Sequence, residues 1–194
     1  MRSLDARVRY TRMILEQSFL ELLREKPVSK ITVTELCEKA QLNRATFYKH
    51  YLDIPDLMEK IEEDLFDKIR DVFTDKEMKL KPFLVEMMYY TRENQDRFMA
   101  LGGDHGDPNL MTKTFQVCYE RAYPLLAQNL RSMEEHEKQM LYHFLSHGAG
   151  AVLTWWIKDG MREAPEDVAQ FILNVCSITA NGSQNIDWRL QYME

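Results

Sequence analysis

A chain of 194 residues with 45% hydrophobic and 29% charged residues is long enough to bury a substantial core as one domain or two small ones. No apolar run approaches a membrane-spanning length, the charged N-terminus has no signal-peptide core, and Cys37, Cys118 and Cys176, without CxxC spacing, fit a reducing cytoplasm and not a disulfide scaffold. The net charge of −6 is divided: residues 1–51 carry ten Lys/Arg against six acids, net +4, and the remainder is net −10, a basic head on an acidic body that suits a polyanionic partner.

Gly and Pro are scarce and no stretch alternates apolar with polar residues, so an all-α fold of about nine helices is expected. The first runs from Asp5 to Glu25 and ends before Pro27, with Val8, Met13, Ile14, Phe19, Leu22 and Leu23 inward. Thr32 is placed to cap the second, with Glu35 three residues on to fold back onto its N–H. Leu36, Cys37 and Ala40 give that helix one apolar face. Leu42 falls in a turn, Asn43 is a second N-cap, and Arg44 to His50 form a third helix. There Ala45 is small enough for close packing, and Phe47 and Tyr51, four apart, point inward. Arg44, Thr46, Tyr48, Lys49 and His50 are left outward. Two short helices joined by a tight turn, the second carrying such side chains, make a helix-turn-helix.

Asp53 caps a fourth helix, with Pro55 in its first turn, where a missing N–H costs little. Leu57, Ile61, Leu65, Ile69 and Val72 make its apolar stripe, and it continues to about Phe73. Residues 74–81 are charged without a stripe and read as a loop. Two helices come next, over Pro82–Glu93 and Asn94–Leu101, then the loop GGDHGDP at 102–108. A seventh helix spans Asn109–Arg131 with a kink at Pro124. Ser132 with Glu135 makes a capping box for an eighth, which runs to Asp159 and is stopped by Gly160. Pro165 opens a ninth that ends near Asn181-Gly182.

The last two helices are apolar over most of their circumference, in HFLSHGAGAVLTWWI and VAQFILNVCSITA. Either they form the centre of a monomeric core or they pair across a two-fold axis, with Gly148, Ala149, Gly150 and Ala151 admitting a partner helix. Dimerisation is favoured, because one short recognition helix reads too few bases. The expected interface comprises His143, His147, Gly150, Thr154, Phe171 and Val175.

For DNA, helix N-termini offer N–H groups to phosphate. Arg44 and Lys49 suit guanine edges or phosphates, Thr46 a thymine methyl, and Lys30, Thr32, Thr34 and Asn43 the flanking backbone. Arg2, Arg7 and Arg9 are either a frayed basic tail or a minor-groove arm.

The stretch ITVTELCEKAQLNRATFYKHYLDIPDLMEKI resembles the DNA-binding domain of TetR/AcrR transcriptional regulators, over about residues 8–65. The resemblance implies that Tyr48 donates its hydroxyl to a phosphate, with His50 as companion. It also implies an effector and dimerisation domain behind the head, so the expected division is 1–53 for DNA and 54–194 for ligand and dimer. Two departures stand out. Gln41 replaces a frequent turn glycine, and Ile54 occupies the place of a family lysine that meets phosphate. Ile54 is therefore either a lost contact or a hydrophobic staple.

An aromatic and Met-rich set suits adaptable ligand contacts: Met88, Phe98, Phe115, Tyr119, Tyr123 and Trp155. Arg92, Arg97, Arg121 and His105 either complement an anion or lie at the surface. His136, His143 and His147 share one sector of the eighth helix, but no HExxH or companion carboxylate accompanies them, so packing outweighs metal. No cofactor, metal or catalytic group is expected, which argues against an enzyme. The expected partners are double-stranded DNA with a palindromic operator, a second copy of the chain, and either a small effector or a protein partner. The expected location is the cytoplasm, at the nucleoid.

Overall fold

In a computed structural model, the structure describes residues 2–72, 79–128, 130 and 132–183, with the side chains of residues 2–5, 72 and 121 left aside. Residues 74–78 of the expected loop, and residues 129 and 131, fall outside these; the seventh helix, expected to run to Arg131, ends at Ala127. The described residues form α1 (Arg2–Glu25), α2 (Val33–Lys39), α3 (Arg44–Phe47), α4 (Ile54–Val72), α5 (Leu80–Glu93), α6 (Gln95–Leu101), α7 (Leu110–Ala127), α8 (Glu135–Lys158) and α9 (Pro165–Ser183). A single 3-10 turn, Val28–Lys30, precedes α2, and the described residues contain no strand.

By packing, the chain forms two units. The first comprises residues 1–68 and 94–113, the second 69–93 and 114–194. The first is therefore larger than a three-helix head: it takes in most of α4, all of α6 and the 102–108 loop.

The core of the first unit is built from Leu15, Phe19, Leu22 and Leu23 of α1, Leu36 and Cys37 of α2, Phe47, and Leu57, Ile61 and Leu65 of α4, all buried. The α4 stripe is thus as its periodicity predicts. The N-terminal half of α1 is not: Val8 and Met13 are exposed, and Leu15 with Ser18 takes the inward face. That segment has apolar residues on several sides, and tertiary packing selected one. Helix α6 lies against α1, held by Arg97 to Glu16 and by Arg24 to Asp96.

Its loop, 102–108, is closely wound. An added Cβ at Gly106 would come within 2.0 Å of the Leu101 carbonyl oxygen, and one at Gly103 within 2.6 Å of that of Met99. Lys113 ties the loop to α4, lying 2.8 Å from Asp107 and 2.6 Å from Glu62, whose side chain is only 7% exposed. Burial pushes the Glu62 carboxyl above its ordinary range, and Lys113 opposes this without cancelling it.

In the second unit α5 packs on α9, and α8 on α9. Leu130, Met133, Leu141, Leu145 and Ala180 form one core cluster. Trp156 is fully buried, with its indole N–H donating to the Glu163 carbonyl at 3.2 Å. The α8 start differs from expectation: Glu134 is the N-cap, and the Glu137 carboxylate accepts its N–H at 2.9 Å. The box therefore sits two residues beyond Ser132. Gly160 ends α8 as expected, with φ +81°.

Candidate nucleic-acid interface

The two helices of the motif are set by their caps. The Thr32 hydroxyl accepts the Glu35 N–H at 3.2 Å, and the Asn43 side-chain oxygen accepts that of Ala45 at 2.9 Å. Both oxygens are thereby committed to holding helix starts. The Glu35 carboxylate is taken by Lys26. Between the helices Gln41 adopts φ +54°, so this turn accepts the left-handed conformation in a residue with a Cβ.

Helix α3 is α-helical only to Phe47 and then tightens. The N–H of Lys49 reaches the Thr46 carbonyl at 3.3 Å, and that of His50 reaches Phe47 at 2.9 Å. Phe47 and Tyr51 are buried, with ring centroids 5.6 Å apart, which is the inward pair that the spacing predicts. Ala45, expected at a helix contact, is exposed instead, as are Arg44, Lys49 and Tyr48. Thr46 and His50 are half-buried, and Lys30, Thr32, Thr34 and Asn43 are exposed.

The charges sort themselves. Arg12 pairs with Asp64, Arg24 with Asp96, Lys26 with Glu35 and Lys39 with Glu21. Among the described residues no acid pairs with Lys30, Arg44 or Lys49. The cations on the flanks of the motif are thus neutralised by nearby acids, whereas, among the described residues, Lys30, Arg44 and Lys49 are not. Burial, then the charges of Arg12 and Lys49, hold the His50 imidazole below its ordinary range. Cys37 is buried and its thiol is pushed up by burial, with Arg44 opposing, so it is not a reactive thiolate.

Ile54 is 4% exposed and belongs to the core, which favours the staple over a lost contact. Asp53 caps the same helix start, accepting the Asp56 N–H at 2.8 Å. Ile54→Lys is expected to lower thermal stability by about 2–4 kcal/mol, by burying an ammonium. It should leave the salt dependence of DNA binding unchanged; a steeper slope at full stability would put this helix start against DNA.

The other expected sites are redistributed. Phe98 is buried in the first unit, whereas Met88 is buried in the second. Tyr119 and Tyr123 stack at 4.9 Å, each edge-on to Tyr142, and Phe115 lies 5.1 Å from His147. Cys118 sits among them, its thiol pushed up to about 12 by burial. Trp155 is 56% exposed and so does not line an interior, because successive helical residues point about 100° apart and Trp156 takes the inward side. Arg97 is bound to Glu16, and Arg92 lies over the Tyr89 ring at 5.1 Å.

On α8, His147 Nδ1 lies 2.7 Å from the His143 carbonyl oxygen. No group of three metal-ligating side chains occurs among the described residues. His143 and His147 are exposed, but Gly150 is buried and the Thr154 hydroxyl donates to its carbonyl at 2.8 Å. The open apolar stripe of α8 lies further round: Met140, Phe144, Gly148, Ala151 and Trp155. Helix α9 has a matching one in Phe171, Val175 and Ile178, continued by Gly182. An added Cβ would meet nothing within 4 Å at either Gly148 or Gly182.

No helix among the described residues is long and apolar enough to cross a membrane. Residues 78–177 match the TetR model described as "Transcriptional regulator C-terminal region". The chain is 23% identical over 184 residues to the uncharacterized HTH-type transcriptional regulator YxbF of Bacillus subtilis (strain 168), covering 91% of this chain and 47% of that protein. It thus spans about half the length of that curated relative. A TetR transcriptional regulator from Streptococcus agalactiae 2603V superposes with a TM-score of 0.67 at 25% identity, over 90% of this chain and 98% of that one. The regulator FadR from Bacillus subtilis, in complex with stearoyl-CoA, shares the fold, with a TM-score of 0.54 at 14% identity over 84% of this chain and 96% of that one. With a family match over more than half its length and a helix-turn-helix at its head, this chain belongs to the TetR family of transcriptional regulators, not to the enzymes.

Proposed function

We propose that the protein is a sequence-specific DNA-binding repressor, acting as a homodimer on a palindromic operator and released by a small effector. The observation that carries the DNA reading is the set of exposed cations with no acidic partner among the described residues, Lys30, Arg44 and Lys49, at a capped helix-turn-helix. Residues 1–53 then form the reading head and 54–194 the effector and dimer region, in a cytoplasmic, nucleoid-associated protein. Arg44 and Lys49 address guanine edges or phosphate, Thr46 a thymine methyl, and Tyr48 and His50 phosphates. Lys30, Thr34 and the backbone N–H groups behind Thr32 and Asn43 hold the flanks. Exposed Ala45 lets the helix enter the groove closely.

Binding measurements on operator variants test the roles. Arg44→Ala should change base preference and cost roughly 1–3 kcal/mol on the operator, whereas Tyr48→Phe should weaken all sequences alike. A shifted base preference in Tyr48→Phe would reverse the two assignments.

His50 gives a pH signature. Its depressed value leaves it neutral in the free protein near neutral pH, and a nearby phosphate raises it in the complex. Binding therefore takes up a proton, and affinity should rise as pH falls below neutrality. In His50→Gln that rise should vanish; if it persists, the linked proton is elsewhere.

Dimerisation is supported by the open stripes of α8 and α9, where bulky Phe144, Trp155 and Phe171 alternate with Gly148, Ala151 and Gly182. Two helices presenting such stripes suit a four-helix contact around a two-fold axis. The effector reading draws on the half-buried Phe115, Tyr119 and Tyr123 with Met88 in the second unit, and on the ligand-bound FadR of like fold. Calorimetric titration with acyl-CoA thioesters of different chain length is a direct first test.

A further inference from the structure

The short recognition element has a second anchor that its own sequence does not supply. Past Phe47 the chain tightens into turns, the last helical bond being that of the Tyr51 N–H to the Phe47 carbonyl at 3.0 Å, so the carbonyls beyond Phe47 have no further helical turn to accept from. One of them, that of His50, receives a hydrogen bond at 3.3 Å from the ammonium of Lys60, two turns along α4. The same ammonium lies 2.9 Å from the Asp56 carboxylate and 5.3 Å from the centroid of the Tyr51 ring. The Asp56 oxygen that meets Lys60 also accepts the Leu52 N–H at 2.8 Å. On the other side, the Arg12 guanidinium of α1 lies 3.5 Å from Asp64 of α4 and interacts electrostatically with the Tyr51 hydroxyl. Residues 50–52, which join α3 to α4, are thus gripped by backbone and ring from two helices.

We propose that Lys60, with Asp56, is a positioning residue for DNA reading: it fixes the angle at which the recognition element leaves α4, and it is not itself a phosphate contact. The inference rests on the DNA-binding reading above and assigns a role to residues outside the helix-turn-helix. Three features set Lys60 apart from Lys30, Arg44 and Lys49. Its charge is balanced by an acid whose side chain is 18% exposed. Its donors are engaged by a carboxylate and a backbone carbonyl. A cation at the C-terminal end of a helical segment also opposes the partial negative charge there. The Lys60–Asp56 pair presents little net field to a polyanion, yet it holds the elements on which Tyr48, Lys49 and His50 are carried.

The test compares Lys60→Met, Lys60→Arg and Asp56→Asn with the unaltered chain on operator and on non-specific DNA, across a series of salt concentrations. Lys60→Met keeps the aliphatic stem and removes the ammonium. Its operator affinity should fall about tenfold, comparable to one lost base contact, while non-specific affinity and the slope of log K against log salt stay as they were. Lys60→Arg should recover most of the loss, and Asp56→Asn should show the same pattern more weakly.

Hydrogen exchange in the DNA-free protein supplies an independent reading. The Tyr51 and Leu52 amides should exchange faster in Lys60→Met, and those of α2 should not change. A salt slope shallower by about 0.9 per protomer would make Lys60 a phosphate contact and overturn the proposal. Equal losses on operator and non-specific DNA, or unchanged operator affinity, would overturn it too. Should Lys60→Met fail to fold, the Asp56→Asn and Lys60→Arg pair decides by the same criteria. If exchange accelerates as expected but the unaltered chain selects no DNA, the anchor stands and the DNA-binding reading fails.

Discussion

If the protein is the dimer proposed above, Phe171→Asp is expected to yield a folded monomer, seen as a shift in gel filtration with unchanged helical content. Phe171 is 56% exposed in the single chain, so an aspartate there costs the protomer little. Across a two-fold axis the change is made twice. Each copy loses about 2 kcal/mol of aromatic burial, and each places an unpaired carboxylate in an apolar seam. The loss on the order of 6 kcal/mol corresponds to about four decades in dimer Kd. Operator binding should collapse with it, because half-sites are then read singly. A Phe171→Asp protein that remains a folded dimer would move the interface off α9. Gly148→Glu makes the companion change on α8, into open space. Gly150 is buried in the single chain, so Gly148 is the cleaner site for this test.

The second large effect is expected at Lys113. This residue stands between Glu62 and Asp107, and Lys113→Met leaves two carboxylates largely out of water without a cation. Breaking a buried pair from one side costs about 3–5 kcal/mol, and the partial solvent exposure of Lys113 brings this to roughly 2–3 kcal/mol. For a chain of this length the melting temperature should fall by about 5–10 °C.

Glu62→Gln should cost much less, within about 1 kcal/mol, because the ionised Glu62 is already disfavoured by burial. The pH signs differ accordingly. The Glu62 carboxyl is raised in the fold, so its ionisation weakens the fold as pH rises above the unfolded value of 4.5. The Lys113 ammonium is raised as well, so its contribution is full below 10.5 and lost only as pH rises through the folded value. A Glu62→Gln protein should therefore lose the acid-side dependence and keep the alkaline one. Equal melting temperatures for Lys113→Met and the unaltered chain would show that the loop is held by other contacts.

These two sites also mark where the sequence was legible and where it was not. The helix-turn-helix could be read because its signals are local. Thr32 and Asn43 each cap the helix that starts beside them, and Phe47 and Tyr51 are four apart on an otherwise polar segment. The α4 stripe was readable for the same reason. The face of α1 was not, since apolar residues such as Val8, Met13 and Leu15 lie on several sides and only packing chooses among them.

On α8 the stripe of small residues was visible, but its register was not. Gly148 and Gly150 are two apart and point to different sides, and the partner elements decide that Gly150 goes inward. Least legible was the membership of α6 and the 102–113 segment in the first unit. That packing is accompanied by charge pairs 81, 72 and 51 residues apart in Arg97–Glu16, Arg24–Asp96 and Lys113–Glu62. No periodicity within one helix records a partner at that distance.

The Lys60 anchor has the same character on a smaller scale. Its i,i+4 pairing with Asp56 is a common surface pattern, and its significance comes from the His50 carbonyl that the fold brings to it.

The central claim is that a dimer of this chain reads a two-fold symmetric DNA site through Arg44 to His50. Selection of bound sequences from a random pool of double-stranded DNA tests it directly, run in parallel on the unaltered chain and on Arg44→Ala. The unaltered chain should enrich an inverted repeat with half-site centres a whole number of helical turns apart, about 10 base pairs or a multiple. Arg44→Ala should enrich a repeat of the same symmetry and spacing that has lost or changed its preference at the same position in each half. Enrichment of no sequence, of a site without two-fold symmetry, or of an identical repeat by both proteins would contradict the account.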